Sequence, residues 1–391
     1  MWVRCITKTE DLAALGEHWP ALTPRVPFLG HAWLETWWKH YGPQGRGREL
    51  FVLCVYDDCG QLAGVAPWYL EKSPVSGRVA RFLGSGEVCA DYLTLPCRPG
   101  CESSVVDALV PWLHRAATGA GGFDRPPVSA RWDLLDLSGM EACDPTLQRL
   151  AAAFAQVGVE VHTQSAPRCW RLHLPESWDD YLALLSKSHR RRTRKMQREL
   201  LDTGEARLRL VRDEADLAQG FQILTRLHNE RWRRSGQIGR FACEPFTAFH
   251  REVARRALAE GQLRLSWLEF QGRPVAAEYW LESDGVVYAY QSGRDPESEE
   301  IEPGSMAFIA SAQAMLAEGL RTIDFLRGDE PYKAHWRAQP RSCVRLRIVA
   351  NRPSSRLRAR IWTMARDTRD WLRGDDAPSN QPPLPMAGAA N

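Results

Sequence analysis

The chain repeats itself once at the scale of a domain, and that repeat restricts its fold more than any other feature. TKTEDLAALGEHW, from Thr7, resembles VRDEADLAQGFQIL, from Val211. WWKHYG (Trp37–Gly42) matches RWRRSG (Arg231–Gly236), and FVLCVYDDCGQLAGVAPWYLE (Phe51–Glu71) matches LRLSWLEFQGRPVAAEYWLE (Leu263–Glu282). Pro99-Gly100 precedes SSVVDALVPWL as Pro303-Gly304 precedes SMAFIASAQAML. WDLLDLSG (Trp132–Gly139) matches TIDFLRG (Thr322–Gly328). Each match is weak alone, but their common order is not chance, and a repeat of this length sets the architecture.

Each half reads helix, helix, strand hairpin, further strand, helix, strand. Apolar residues spaced by three and four mark the helices. Alternating β-branched and apolar residues around a glycine-containing turn mark the hairpins. Strands interleaved with helices predict an α/β fold with a mixed sheet (α+β), present twice, over roughly 1–165 and 205–350. A basic connecting segment, 166–204, lies between them and contains SKSHRRRTRKMQREL, Ser186 to Leu200. A second basic helix follows over 351–373, with Leu357, Ile361, Met364, Thr368 and Trp371 on one face. The Pro- and Ala-rich stretch 374–391 has little to bury and is expected to be disordered.

A chain of 391 residues with 44% hydrophobic content can build two or three cores. Its formal net charge of +3 gives the whole molecule no strong field, so any preference for anions must be local. Ten cysteines show no metal-ligand spacing, and no metal site is expected. MWVRCITKTEDL lacks the apolar core of a secretory signal, and no apolar run approaches the ~18 residues of a membrane helix. These features predict reduced thiols and a cytoplasmic protein, peripheral at the inner membrane at most. Trp33, Trp37, Trp38, Trp112 and Trp232 fall in amphipathic segments and are expected in the core.

The densest chemistry is DFLRGDEPYKAHW, Asp324 to Trp336. A short apolar run breaks there into Arg327, Gly328, Asp329, Glu330, Tyr332 and Lys333, more functional variety than a surface turn needs. Gly328 permits an unusual backbone angle or a close approach. Glu278 stands in the otherwise apolar strand AAEYWLE, where a carboxylate is costly unless it is paired or functional. The plain alternatives are an outward position on an edge strand for Glu278, and a structural network of Asp329, Glu330, Arg327 and Lys333.

The twofold order of elements, DFLRGDEPYKAHW, the basic RRRTRKMQREL helix and GRVARFLGSGEVCADYLTL together resemble tandem acetyltransferase-like proteins of the GNAT superfamily. The nearest group is the bacterial BioF-like or CelD-like one, associated with polysaccharide biosynthesis and related to the FemABX peptidyltransferases. The resemblance implies that the strands around Val287–Gln291 and Ile323–Leu326 splay apart to admit an acyl-pantetheine arm. It implies acyl-CoA (acetyl-CoA) as donor, with the pyrophosphate at the helix N-terminus of Gly304, Ser305 and Met306, and Gln291 on the neighbouring strand. The candidate acids and bases are Asp329, Glu330, Tyr332, Asp324 and Glu278, and Arg327, Lys333 and Trp336 meet the substrate. Asp91 and Tyr92 join them on the family pattern alone, lining an interdomain cleft.

The usual Arg/Gln-x-x-Gly-x-Gly/Ala loop is absent, and Asp295, Glu297, Glu299, Glu300 and Glu302 stand before the helix. An acyl carrier protein or an aminoacyl-tRNA could then bring the acyl group, with helix 186–200 as an anion clamp. The plain alternative for that helix is a solvated face. The expected activity is acyl transfer to an amine on a sugar or cell-envelope precursor, with the first half degenerate. Two other readings stay open: a FemABX-like, tRNA-dependent peptidyl transfer, and a non-catalytic component of a polysaccharide-synthesis complex.

Overall fold

A computed structural model describes residues 1–23, 25–42, 47–120 and 126–361. These divide into two compact units, Met1–Pro167 with 342–361, and Arg168–Arg341. The expected boundary at 350 therefore falls earlier, and the last strand leaves the second half. The segment 166–204 is not a connector either, because most of it is built into the second unit. No helix among the described residues is long and apolar enough to cross a membrane.

The chain runs β1 (Trp2–Ile6), α1 (Thr9–Ala14), α2 (His31–Tyr41), β2 (Glu49–Tyr56), β3 (Leu62–Ser73), β4 (Gly77–Phe82), α3 (Glu102–Thr118), β5 (Leu134–Glu141) and α4 (Pro145–Gln156). It continues through β6 (Glu160–His173), α5 (Trp178–Leu184), α6 (Lys187–Met196), β7 (Ala206–Leu210), α7 (Glu214–Arg234) and α8 (Glu244–Ala259). There follow β8 (Leu263–Phe270), β9 (Arg273–Ser283), β10 (Val286–Arg294), α9 (Pro303–Ala317), β11 (Thr322–Arg327), α10 (Pro331–His335) and β12 (Gln339–Val349). The repeat is thus real at the level of elements: β-α-α-β-β-β-α-β occurs twice in the same order.

In the first unit the strand order is β1-β2-β3-β4-β5-β12. All neighbours are antiparallel except β4 and β5, which pair in parallel only at Val79–Leu134 and Ala80–Leu135. Beyond that point the strands part, and the chain fills the gap itself. Leu93 donates its N–H to the Gly139 carbonyl on β5 (2.9 Å), and Val65 of β3 donates to Pro96 (2.9 Å). Val88, Ala90, Leu93 and Leu95 of this loop are buried. Trp33, Trp37, Trp38 and Trp112 pack in this unit's core, as their spacing predicts.

The second unit has the order β6-β11-β10-β9-β8-β7. Here β11 and β10 are the parallel pair, and the other neighbours are antiparallel. The core on one face gathers Leu172, Tyr181, Trp280, Phe308, Phe325 and Trp336. Side-chain caps fix the helix starts: Ser177 accepts from Asp180 N, Ser186 from His189 N and Asp213 from Asp216 N. The basic segment begins as the expected helix, α6, then loosens into a π-helical turn over Gln197–Leu201. The later basic helix covers 353–361 among the described residues, with Leu357 and Ile361 exposed. Met364, Thr368, Trp371 and the stretch 374–391 lie outside the described residues.

Candidate active site

The site grows from the point where β10 and β11 separate. They pair only from Val286–Thr322 to Tyr288–Asp324. Past that, β10 carries a bulge at Tyr290, so that Ala289 faces Trp280 while Gln291 faces Tyr279 on β9. β11 carries its own irregularity against β6 between Asp324 and Arg327. Two bulges on facing strands turn their ladders apart and leave a wedge open at the carboxyl ends, where open α/β sheets bind ligands.

The strand-end turn is held from within. Asp324 is fully buried. It accepts from Arg171 Nε (2.8 Å) and from the N–H of Leu326 (2.9 Å). Leu326 needs that hold, because its φ of 56° lies in the left-handed region, which a branched residue enters only at a cost. Gly328 follows at φ 116°, and a Cβ there would sit 2.5 Å from the Glu330 carboxylate. Lys333 is fully buried. Its Nζ donates to the carbonyls of Leu326 (3.2 Å), Arg327 (2.9 Å) and Gly328 (3.0 Å) and pairs with Glu330 Oε2 (2.9 Å). The expectation that Lys333 meets a substrate anion gives way to a strut, since its three N–H groups are already shared among four acceptors. Trp336 is likewise drawn into the core, 4.4 Å from Phe308 and 4.4 Å from His189.

The other expected residues separate into those brought together and those left apart. Asp329 turns to the surface, where it accepts from Arg168 Nε and Trp170 Nε1, each at 3.0 Å. Arg327 is half-buried at the end of β11. Asp91 and Tyr92 lie buried in the loop of the first unit. Gly304 and Ser305 begin α9 with open space around Gly304. Pro303 has no N–H and Met306 N bonds Glu302 O (3.1 Å), so only Gly304 and Ser305 leave first-turn donors without a helical acceptor.

Glu278, Tyr332 and Glu330 do converge. Glu278 is in an interior strand, not at an edge, and only 9% exposed. Burial pushes its carboxyl up to about 8, against one hydrogen bond from Trp280. Tyr332 packs edge-on against Phe325 at 5.9 Å. Burial, then the charges of Glu330 and Glu278, hold its hydroxyl well above the usual tyrosine range, and Arg231 opposes them. Arg231 itself was not anticipated. It enters from the last turn of α7, and burial followed by the like charge of Arg294 lowers its guanidinium to about 10. Among the described residues neither Arg231 nor Arg294 forms an ion pair. Nothing in NERWRRSG distinguishes Arg231 from its neighbours, because basic residues are ordinary in a helix's last turn.

A carboxyl that titrates near neutrality, a hydroxyl that keeps its proton and two unpaired guanidinium groups can, in order, accept a proton, donate one and hold an anion. The family model described as "Acetyltransferase (GNAT) domain" matches residues 187–334. No curated protein matches the chain. Among solved structures, FemX is similar at 13% identity and a TM-score of 0.58, covering 91% of this chain and 99% of its own. A conserved protein of unknown function from Bacteroides thetaiotaomicron is similar at 10% identity and a TM-score of 0.51, covering 89% and 99%. A tandem GNAT protein from the clavulanic acid biosynthesis pathway aligns at 14% identity over 90% and 98%, with a TM-score of 0.48. Residues 187–334, which hold the wedge, the strut and the titrating cluster, are the part of this mixed α/β chain that matches the GNAT acetyltransferase domain.

Proposed function

We propose that the chain moves an acyl group from a thioester to an amine, with Glu278 as the proton acceptor. The observation that carries this is the buried Glu278 carboxyl, pushed up to about 8, close to an enzyme's working pH and without a cationic partner among the described residues. The amine enters the wedge as ammonium and gives a proton to Glu278. It then attacks the thioester carbonyl, the C–S bond breaks, Tyr332 donates its proton to the leaving thiolate, and the second proton of the attacking nitrogen returns to the Tyr332 oxygen as the amide forms. Arg231 and Arg294 hold an anionic group on the acceptor, which suits a phosphorylated or acidic sugar of envelope or polysaccharide synthesis. Gln291 and Phe325 lie on the two strands beyond their last paired residues. The first unit has filled the equivalent gap with its own loop, which supports a scaffold role for it.

A second reading, transfer from an aminoacyl-tRNA, is favoured by the fold likeness to FemX and by the lack of a pyrophosphate loop before α9. A non-catalytic role is disfavoured, because a degenerate cleft gains nothing from a buried carboxyl held by a single neutral hydrogen bond. The test is thiol release from acetyl thioesters in the presence of amino sugars and their phosphates. Tyr332→Phe should lower kcat roughly a hundredfold. Arg231→Met should raise KM for a phosphorylated acceptor about tenfold or more at similar kcat. Thiol release unchanged in both variants would end this reading.

A further inference from the structure

Building on that reading, we propose that the donor is a small acidic carrier protein presenting its acyl group as a phosphopantetheine thioester, with α6 as its docking surface. Lys187, Arg191 and Arg194 recur at i, i+4 and i+7 on α6, Arg198 follows just beyond in the π-helical turn, and all are exposed. They form one stripe about 16 Å long, the reach of a short helix. Lys187 and Arg191 form no ion pair among the described residues. Arg194 meets the exposed Asp179 at 3.1 Å and Arg198 meets its neighbour Glu199 at 3.1 Å, contacts weak enough to be exchanged for a partner's carboxylates.

The opposite face ties this stripe to the site. His189 stacks on His335 of α10 at 3.7 Å, and Met196 and Leu200 pack with Met306 and Ala307 in the first turns of α9. Arg192 pairs with Glu302, which caps α9. The stripe therefore lies on the far side of α6, one helix diameter (~10 Å) from the helix start where a pantetheine phosphate would lie.

The surroundings select among anionic partners. Glu297, Glu299 and Glu300 are exposed just before α9, on the side that Arg192 reaches. Asp179 and Asp180 are exposed at the start of α5, on the side that Arg194 reaches. A nucleic-acid backbone or an anionic membrane would continue past the stripe into these carboxylates, whereas one acidic helix ends with it. Coenzyme A must also place a pyrophosphate, and α9 offers only the Gly304 and Ser305 N–H groups, with Glu302 beside them. A carrier's single phosphodiester asks for no more. The transfer balances as ammonium plus acyl-carrier thioester giving amide, carrier thiol and one proton: a C–N bond forms, the C–S bond breaks, the first nitrogen proton goes to Glu278, sulfur takes the Tyr332 proton, and the second nitrogen proton restores Tyr332.

The test uses the full chain with a bacterial acyl carrier protein bearing acetyl-phosphopantetheine, beside acetyl-CoA and acetylpantetheine. Carrier binding is read by fluorescence anisotropy, transfer by thiol release. Binding should weaken about tenfold or more on raising salt from roughly 50 to 200 mM, and again about tenfold in the Lys187→Glu, Arg191→Glu double variant. That variant should keep the wild-type melting temperature and its transfer from acetylpantetheine. Carrier binding untouched by the double variant, carrier turned over no better than acetylpantetheine, or a stronger loss of tRNA or anionic-vesicle binding than of carrier binding would each overturn the proposal. Salt-sensitive carrier binding with no transfer from any thioester would uphold the docking surface and sink the acyl-transfer reading instead.

Discussion

Replacing Glu278 by glutamine should make the protein more stable and nearly inactive at once. Burial lifts this carboxyl from 4.5 to about 8. Below pH 4.5 it is protonated in both the folded and the unfolded chain, so nothing is lost. As pH rises, the unfolded chain ionises first, and stability falls until the folded carboxyl itself ionises near 8. At about 1.4 kcal/mol per tenfold change in proton affinity, the full loss is on the order of 5 kcal/mol. Glutamine keeps the shape and an oxygen that accepts from Trp280, but it cannot ionise. Glu278→Gln and wild type should therefore melt together near pH 5 and separate by on the order of 10 °C near pH 8. In the same preparations, kcat/KM of wild type should climb as pH passes about 8, when the base becomes ionised. The variant should lack that limb and be slower by roughly 10²–10⁴. Calorimetry across pH and thiol release suffice. Melting curves that stay parallel from about pH 5 to about pH 9 would show that the carboxyl is not held protonated, and the assignment of the base would fall with it.

Two further perturbations bear on how the site is held. Lys333→Met strips the donor from three carbonyls and the partner from Glu330, and should cost ~3–5 kcal/mol in urea unfolding. Adding Glu330→Gln should return part of that loss, because removing both charges is cheaper than stranding one. For His189, burial and then the charge of His335 hold the imidazole down to about 4 from 6.5. The docking of α6 is then intact above 6.5 and weakens as pH falls toward 4, so hydrogen exchange of the α6 amides, corrected for intrinsic rate, should speed up over that interval.

The splayed pair was legible only through the family resemblance, whereas local chemistry in the sequence was sufficient for the element order, the twofold repeat and the cluster from Asp324 to Trp336. Those features rest on near-neighbour periodicity and on residues only a few positions apart, which propensity and spacing report directly. The roles inside the cluster were decided only by tertiary packing. Lys333 reads as a substrate cation until the turn folds over it and its N–H groups meet four acceptors. Glu278 already stands out in AAEYWLE, but an outward position on an edge strand stays open until β8 and β10 flank its strand and remove water. Arg231 is indistinguishable from the other cations of α7 until the last turn of that helix reaches Tyr332. The strand beside β5 was also a tertiary outcome. The chain's β6 follows β5 in sequence, yet it serves β11, and β12 takes the place beside β5 instead. Which strand pairs with β5 is set by contacts between residues far apart in sequence, so the choice belongs to the assembled cores and not to the residues of either strand alone.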